Sequence, residues 1–302
     1  MVDPFTIERI APMELAAKSP LAEMYTLSPF VWPDHDRFEL LLRAVNHSDI
    51  AAEKVSRIYY GRSDDGVRFT MGDSPVIAPG PGDDDDDKDG CEDPTVAVVD
   101  GTTYAYYSGW NQTTKKGQLL LASGPDAERL RKRGVAIPYS NDIMNPKEAT
   151  IAPVADGTWR LFFEYAADGA SKVGLASAPS VDGPWTVQAP PFEARPGGWD
   201  GWHLSPEPVL SADPERPIML YNGATRDTKW RIGWIAFDAG FTRVVDRGVE
   251  PLIVPPPPPP GSDDTDIAFA ASAVEQDGAI LLYYSVADKD LLCATLRRLD
   301  SR

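Results

Sequence analysis

A strand-and-turn unit that recurs along the chain constrains its fold more than any other feature. Each copy has an apolar, aromatic-rich strand, a polar turn, and a second strand. The copies are Leu40-Leu41-Leu42-Arg43 with Arg57-Ile58-Tyr59-Tyr60, Tyr104-Ala105-Tyr106-Tyr107 with Gln118-Leu119-Leu120-Leu121, Trp159-Arg160-Leu161-Phe162-Phe163 with Val173-Gly174-Leu175-Ala176, Ile218-Met219-Leu220-Tyr221 with Ile232-Gly233-Trp234-Ile235, and Ile280-Leu281-Leu282-Tyr283-Tyr284 with Leu291-Leu292-Cys293-Ala294. They follow one another at about 60 residues, a spacing that in strand-rich chains marks radial repetition. A small sheet cannot bury both its faces alone, but sheets stacked around an axis cover one another. The pattern therefore predicts an all-β, five-bladed β-propeller, with the ligand site at the mouth of the central channel. The repeat covers nearly the whole chain, which predicts one domain over residues 1–302. Residues 1–25 read as a lead-in, with Glu14-Leu15-Ala16-Ala17-Lys18 as a turn or two of helix before Pro20.

Charge and cysteine content narrow the function. The net charge of −17 argues against nucleic acid, which requires a basic footprint, and against anionic membranes. A neutral substrate is compatible with it. No apolar run approaches the length of a membrane span. Met1-Val2-Asp3-Pro4-Phe5 has neither the basic start nor the apolar core of a signal peptide. Cys91 and Cys293 cannot build a disulfide framework and suit a reducing cytoplasm. Three scattered histidines, His35, His47 and His203, without CxxC or HExxH, give no metal site. No GxSxG and no phosphate-binding glycine loop is present, and no cofactor is implied.

Three loops stand out. The aspartates at 83–87 repel one another and predict a solvated loop. The prolines at 255–260 predict a stiff surface spacer. Arg195-Pro196-Gly197-Gly198-Trp199-Asp200-Gly201-Trp202-His203 exposes costly aromatics in a glycine-rich loop, so it is expected to border a cleft, with Trp199 or Trp202 as a stacking platform.

The remaining chemistry is that of carboxylates beside aromatics at strand ends, which suits glycosidic bonds. In Gly90-Cys91-Glu92-Asp93-Pro94-Thr95 an acidic pair precedes proline and an apolar strand. Proline opens a strand and biases the preceding residue to an extended conformation. That would aim Asp93 at the channel; the plain alternative is an ordinary Asp-Pro turn.

Glu92-Asp93-Pro94 after Gly90-Cys91 resembles the Glu-Asp-Pro-Arg motif of glycoside hydrolase family 130, five-bladed propellers comprising β-mannoside phosphorylases and some β-mannosidases. Further matches fall in order. Leu41-Leu42-Arg43 is similar to the family's first-blade strand, and Leu220-Tyr221-Asn222-Gly223 to its Tyr-His-Gly strand. Arg231-Ile232-Gly233 with Asp246-Arg247 resembles the strand and turn that follow, and Leu282-Tyr283-Tyr284-Ser285-Val286-Ala287-Asp288 the last-blade segment. The resemblance implies Asp93 as general acid, its proton reaching the glycosidic oxygen through a sugar hydroxyl, with Arg43 and Asp288 as sugar contacts. Their plain alternatives are a surface ion pair for Arg43 and a turn cap for Asp288. Glu92, Lys147, Trp202, His203 and Asn222 complete the expected substrate-binding set.

Departures from the family pattern carry their own information. Phosphate needs Arg or Lys forks. Here the motif arginine is Thr95, the third-blade His-Arg-Pro position reads Phe163-Glu164-Tyr165, and the Tyr-His-Gly histidine is Asn222. Lys147 is the remaining candidate cation. A carboxylate in place of phosphate can instead deprotonate water, as in inverting hydrolysis. Glu164 and the proline-flanked Glu207 are the candidates, one as base and the other to orient water or substrate; salt bridges to Arg160 or Arg231 are the alternative. The sequence thus predicts inverting hydrolysis of a β-mannoside or related oligosaccharide. Its rivals are a phosphorylase, a glycosidase of the arabinanase or xylosidase kind, and a non-catalytic sugar-binding propeller.

Overall fold

The computed structural model describes residues 4–299; Met1, Val2 and Asp3, on which the signal-peptide reading partly rests, lie outside them. The protein is all-β, and its helical pieces among the described residues are two short 3-10 turns, Leu21–Glu23 and Ala51–Glu53. None of these is long and apolar enough to cross a membrane.

The repeated strands are the middle strands of successive antiparallel groups. They read as near-continuous apolar runs because both of their faces are covered. Ile218–Ala224 is buried at every position. Alternation within each strand sends neighbouring side chains to opposite faces. Leu41 packs with Tyr107 and Leu120, while Tyr106 packs on the other side with Leu161 and Phe163. Phe162 then meets Met219 and Tyr221, and Leu220 meets Leu282 and Tyr284. Tyr283 and Cys293 return to Leu40 and Leu42. Each apolar core lies between two successive strand groups, and the last leads back to the first.

Among the described residues hydrogen bonding gives four sheets, not one per repeat, because a single parallel bridge between Ser56 and Gly90 joins the first two groups into one nine-stranded sheet. The last sheet is completed from the other end of the chain. Phe5–Pro12 pairs antiparallel with Asp290–Arg298, and Phe5 is buried in the adjoining core. The helical expectation for the lead-in is therefore corrected. Glu14–Ala16 forms a short strand parallel to Arg68-Phe69-Thr70. Local helix propensity is a weak prior, and pairing at an open sheet edge overrides it.

The aspartate loop is only half solvated. Asp83 and Asp84 are exposed, but Asp87 is buried and accepts hydrogen bonds from Tyr107 Oη (2.8 Å) and Gly80 N (3.0 Å), beside Lys132 Nζ at 2.5 Å. Like charges separate here by facing different ways.

Candidate active site

Among the described residues, the first strand of each antiparallel group loses register at one point or two. In Tyr25–Asp34 the slip spans Leu27 to Phe30, in Gly90–Val99 Glu92 to Thr95, in Met144–Pro153 Lys147 to Ala149, and in Ala268–Gln276 Ala270 to Ser272. In the fourth group the first strand is broken outright between His203–Ser205 and Val209–Leu210, both of which pair with Ile218–Ala224. Such bulges re-aim side chains and end pairing next to functional sites. The residues they release include Ser28, Asp93, Glu148 and Glu207. Ser28, Asp93 and Glu148 have φ of 48°, 48° and 43°, a sparsely populated backbone region that surrounding contacts must maintain. The extended conformation expected for Asp93 is thus corrected. The bulge places it in the left-handed region, where a short Asp is tolerated, and proline at 94 has no N–H to leave unpaired.

Asp93 is buried. Its Oδ1 accepts from Ser28 Oγ at 2.7 Å and from Arg43 Nη1 at 2.8 Å. Arg43 also meets Glu92 Oε1 at 2.9 Å and donates from Nε to Ser56 Oγ at 3.2 Å. Arg43 therefore turns inward to the acidic pair and not to a surface carboxylate. Asp93 Oδ2 is buried without a hydrogen-bond partner. Burial pushes the Asp93 carboxyl up, but Arg43, Lys147 and Ser28 outweigh it and hold it below its ordinary value. Glu148 moves the opposite way, raised well above its ordinary value by burial and by the charge of Asp93.

Glu164 lies directly across the sheet from Lys147. It is buried, Lys147 Nζ is 3.4 Å from its Oε1, and its Oε2 has no hydrogen-bond partner. The Lys147 ammonium is pushed up, first by Glu164. Arg160 instead donates to Gly240 O and Thr158 Oγ1, so the alternative Arg160 bridge is not formed. Glu207 is buried and its Oε1 accepts from Asn222 Nδ2 at 2.8 Å. Burial, then Glu148, Asp93 and Glu164, raise it well above its ordinary value. Arg231 pairs with Asp266, at 2.8 Å. Asn222 is fully buried and also accepts from Ala270 N at 2.9 Å. It holds Glu207 against the last sheet and is not open to a sugar. Asp288 is exposed at the rim, 3.4 Å from Thr265 Oγ1.

The Gly-rich loop divides its aromatics. Trp199 is stacked on Tyr221 with ring centroids 5.5 Å apart, and a Cβ at Gly233 would lie 2.5 Å from its ring. It is packed beneath the loop, so its role as a platform is corrected. Trp202 borders a cavity of about 160 Å³ with Tyr165, Val173, Phe192 and Leu204. Its Nε1 donates to Gly169 O at 3.1 Å, and Arg226 lies 4.5 Å over its ring. His203 Nδ1 accepts from Ser171 N at 3.0 Å, and burial lowers its pKa. Its ring is 5.6 Å from Trp230, which is 5.1 Å from Phe269.

The loop itself is anchored by Asp200, which is fully buried against Tyr221 Oη (2.5 Å), Arg195 Nε (3.0 Å) and Arg247 Nη2 (2.5 Å). Removing one partner of such a network strands buried charge. Asp200→Ala is expected to destabilise the protein by about 3–5 kcal/mol in urea unfolding; a change within about 0.5 kcal/mol, the range of ordinary surface substitutions, would show the network to be dispensable.

Sequence reasoning missed Glu148 and Trp230. The signal for Glu148 was its position, one repeat after Asp93 and one before Glu207, but it lacks the proline that follows both of those residues. Trp230 opens a strand whose interior is apolar and reads as core. Among the described residues no group of three or more His, Cys, Asp or Glu has the arrangement to hold a metal ion.

No protein-family model matches the chain. A 1,2-β-oligomannan phosphorylase from Thermoanaerobacter sp. (strain X514) is 23% identical over 275 residues, covering 88% of each chain. The β-1,2-mannobiose phosphorylase of Listeria innocua, solved with β-1,2-mannobiose, superposes with a TM-score of 0.73 at 18% identity, over 95% of this chain and 90% of that one. A structure described among the glycoside hydrolases of this phosphorylase family that target β-1,2-mannosidic linkages in Candida mannan gives 0.74 at 22% identity, over 90% and 84%. The sequence relatives bear the names of β-mannoside phosphorylases, and the structural neighbours include both a mannobiose phosphorylase and a structure described under glycoside hydrolase family 130, the family this chain's ordered motifs resemble.

Proposed function

We propose that the chain is a β-mannoside-active glycosidase, a single five-bladed β-propeller domain whose innermost-strand bulges form the active site. The cyclic succession of apolar cores supports the propeller reading. The names of the relatives support an enzyme acting on β-mannosides. Both cysteines are buried and free, which suits the cytoplasmic setting we assign.

The reaction we assign is inverting hydrolysis. One observation carries it: the cations nearest the acid are already committed to carboxylates. Arg43 is held by Asp93 and Glu92, and Lys147 by Glu164. A phosphate entering here would have to displace Glu164 and would meet its charge. A water meets instead a buried carboxylate with an unpartnered oxygen. In this reading Asp93 is the general acid and Glu164 the base. Glu207, protonated and held by Asn222, orients the water. Arg43, Glu92, Lys147, His203 and Asp288 surround the sugar, with Trp202 at the cleft border. Inverting enzymes set acid and base about 6.5–9.5 Å apart to admit the water.

Phosphorolysis is the second reading, and the comparisons weigh toward it, since the sequence relatives are phosphorylases. The two separate in one assay. β-1,2-Mannobiose and aryl β-mannosides are incubated with and without inorganic phosphate. Hydrolysis predicts free mannose at a rate phosphate does not raise. Mannose 1-phosphate formed only with phosphate overturns it in favour of phosphorolysis. No turnover of any β-mannoside overturns both and leaves a binding propeller.

A further inference from the structure

We propose that a cavity between the second and third strand groups holds the sugar ring on the leaving side of the cleaved bond, stacked on Trp110. The inference deepens the active-site reading above and rests on it. The cavity has a volume of about 270 Å³, and Glu92, Ser108, Trp110, Gly117, Asn145 and Lys147 line it. It shares no residue with the cavity beside Trp202. Small-molecule sites run from about 300 to 1,000 Å³, so this one suits a single ring. Glu92 and Lys147 belong to the active-site set, and their side chains remain 26% and 44% exposed. Each can therefore meet a ligand hydroxyl while still holding Arg43 or Glu164.

Missing side chains create this space. In Thr102–Asn111, Tyr104 and Tyr106 enter the core shared with the third group, and Ser108 and Trp110 continue on the same face. Trp110 has a glycine opposite it on both neighbouring strands, Gly90 on one side and Gly117 on the other. A Cβ at Gly90 would lie 3.2 Å from Glu92 Oε1, and one at Gly117 would lie 3.3 Å from Asn145 Cβ. Glycine inside a strand weakens it, and it often marks a place where a ligand approaches the backbone. The walls are fixed by hydrogen bonds. Trp110 Nε1 donates to Gln112 Oε1 at 3.2 Å, and Gln112 N donates to Asp89 Oδ2 at 2.7 Å. On the opposite wall Asn145 Oδ1 accepts from Gly117 N at 2.8 Å. The half-buried indole is thus held in place beside open space.

A pyranose has an apolar C–H face and a rim of hydroxyls. The negative face of an indole attracts such C–H groups. Glu92 accepts from hydroxyls, Lys147 donates to them, and Ser108 can do either. A phosphate suits the cavity less. It would face the Glu92 carboxylate, and the one ammonium there is already paired with Glu164. Position along the strands selects the leaving side. Glu92 lies opposite Ser108 and precedes Asp93, the acid that serves the leaving oxygen. Trp110 stands two residues beyond Ser108, roughly 7 Å farther along the strand. It is therefore beyond the ring being cleaved and beside the next one. Trp110 is a specificity-determining residue, and its contact is made to the departing sugar.

Trp110→Ala tests this on two substrates, with inorganic phosphate present so that either acceptor is served. β-1,2-Mannobiose leaves a sugar; β-mannosyl fluoride leaves an ion that occupies no sugar site. For mannobiose, kcat/KM is expected to fall about 30-fold, as when an aromatic anchor is truncated. Most of the loss should appear in KM, because stacking is the same in the ground and transition states. For the fluoride the loss should stay below about threefold. Trp110→Phe should restore most of the mannobiose activity. A mannobiose loss below about threefold, similar losses on both substrates, or a Phe variant no better than Ala overturns the proposal. Thermal unfolding accompanies the kinetics; if Trp110→Ala does not fold, Trp110→Leu is read by the same criteria. Absence of wild-type turnover on every β-mannoside sinks the functional reading and this inference with it. Wild-type turnover with no substrate-selective loss in the variant sinks the inference alone.

Discussion

Asp93→Asn is expected to lower turnover of β-1,2-mannobiose by about 10³-fold while leaving the fold and sugar affinity nearly intact. The substitution is close to isosteric. The Asn amide oxygen can still accept from Ser28 Oγ and Arg43 Nη1, the bonds that hold the Asp93 side chain in place. What is lost is the capacity to carry a proton and the negative charge facing Arg43, whose guanidinium keeps Glu92 as a partner. An activated aryl leaving group should recover much of the rate, because its oxygen departs without help. Thermal unfolding and mannose binding measured beside the kinetics separate a missing acid from a collapsed site. Near-wild-type turnover of mannobiose by a folded Asp93→Asn protein would remove Asp93 from the mechanism. A bulge that only ends a strand would give that result.

Glu164→Gln is the second large effect. Loss of the base should reduce hydrolysis by about 10²–10⁴-fold. The same change releases Lys147, whose ammonium sits 3.4 Å from Glu164 in the native pocket. An ammonium that has lost its carboxylate partner attracts another anion. Azide added to the variant should therefore bind in place of water and attack C1, giving an α-mannosyl azide whose anomeric configuration is read by NMR. Its formation would support both the base and the inverting geometry. Undiminished hydrolysis by Glu164→Gln would transfer the role to Glu207, whose own Gln variant is the control. Burial and its acidic neighbours raise Glu207 well above its ordinary value, which favours its neutral form, so its Gln variant is expected to lose less.

Much of this protein is written locally. The alternation in Tyr104-Ala105-Tyr106-Tyr107 or Leu220-Tyr221 fixes which side chain enters which core, because the strand period is two and both faces are covered. The repeat of such strands, Asp-Pro at a strand entry and the ordered matches to a known family were all legible without coordinates. Contacts that depend on closure were not. Residues 5–12 carry no sign that they will complete the last sheet, since their partner lies almost the whole chain away. Nothing in Gly-Gly-Trp-Asp-Gly-Trp tells which tryptophan is packed and which lines a cleft; the buried Asp200 network and the absent side chain at Gly233 decide it.

The site divides along the same line. Residue types at strand entries are a sequence property, and Asp93, Glu164 and Glu207 could be named from them. Partnership is a tertiary property. Asp93 meets Ser28 and Arg43 from two other strands of its sheet, and Lys147 meets Glu164 across a single strand pair. Carboxyl charge is set by burial and by neighbours, which act through space with no regard to order along the chain. The sequence by itself determined which carboxylates stand at strand entries. Only the packing of those strands decided which carboxyl is held down and which is pushed up, because that depends on burial and on which charges the fold brings within a few ångströms.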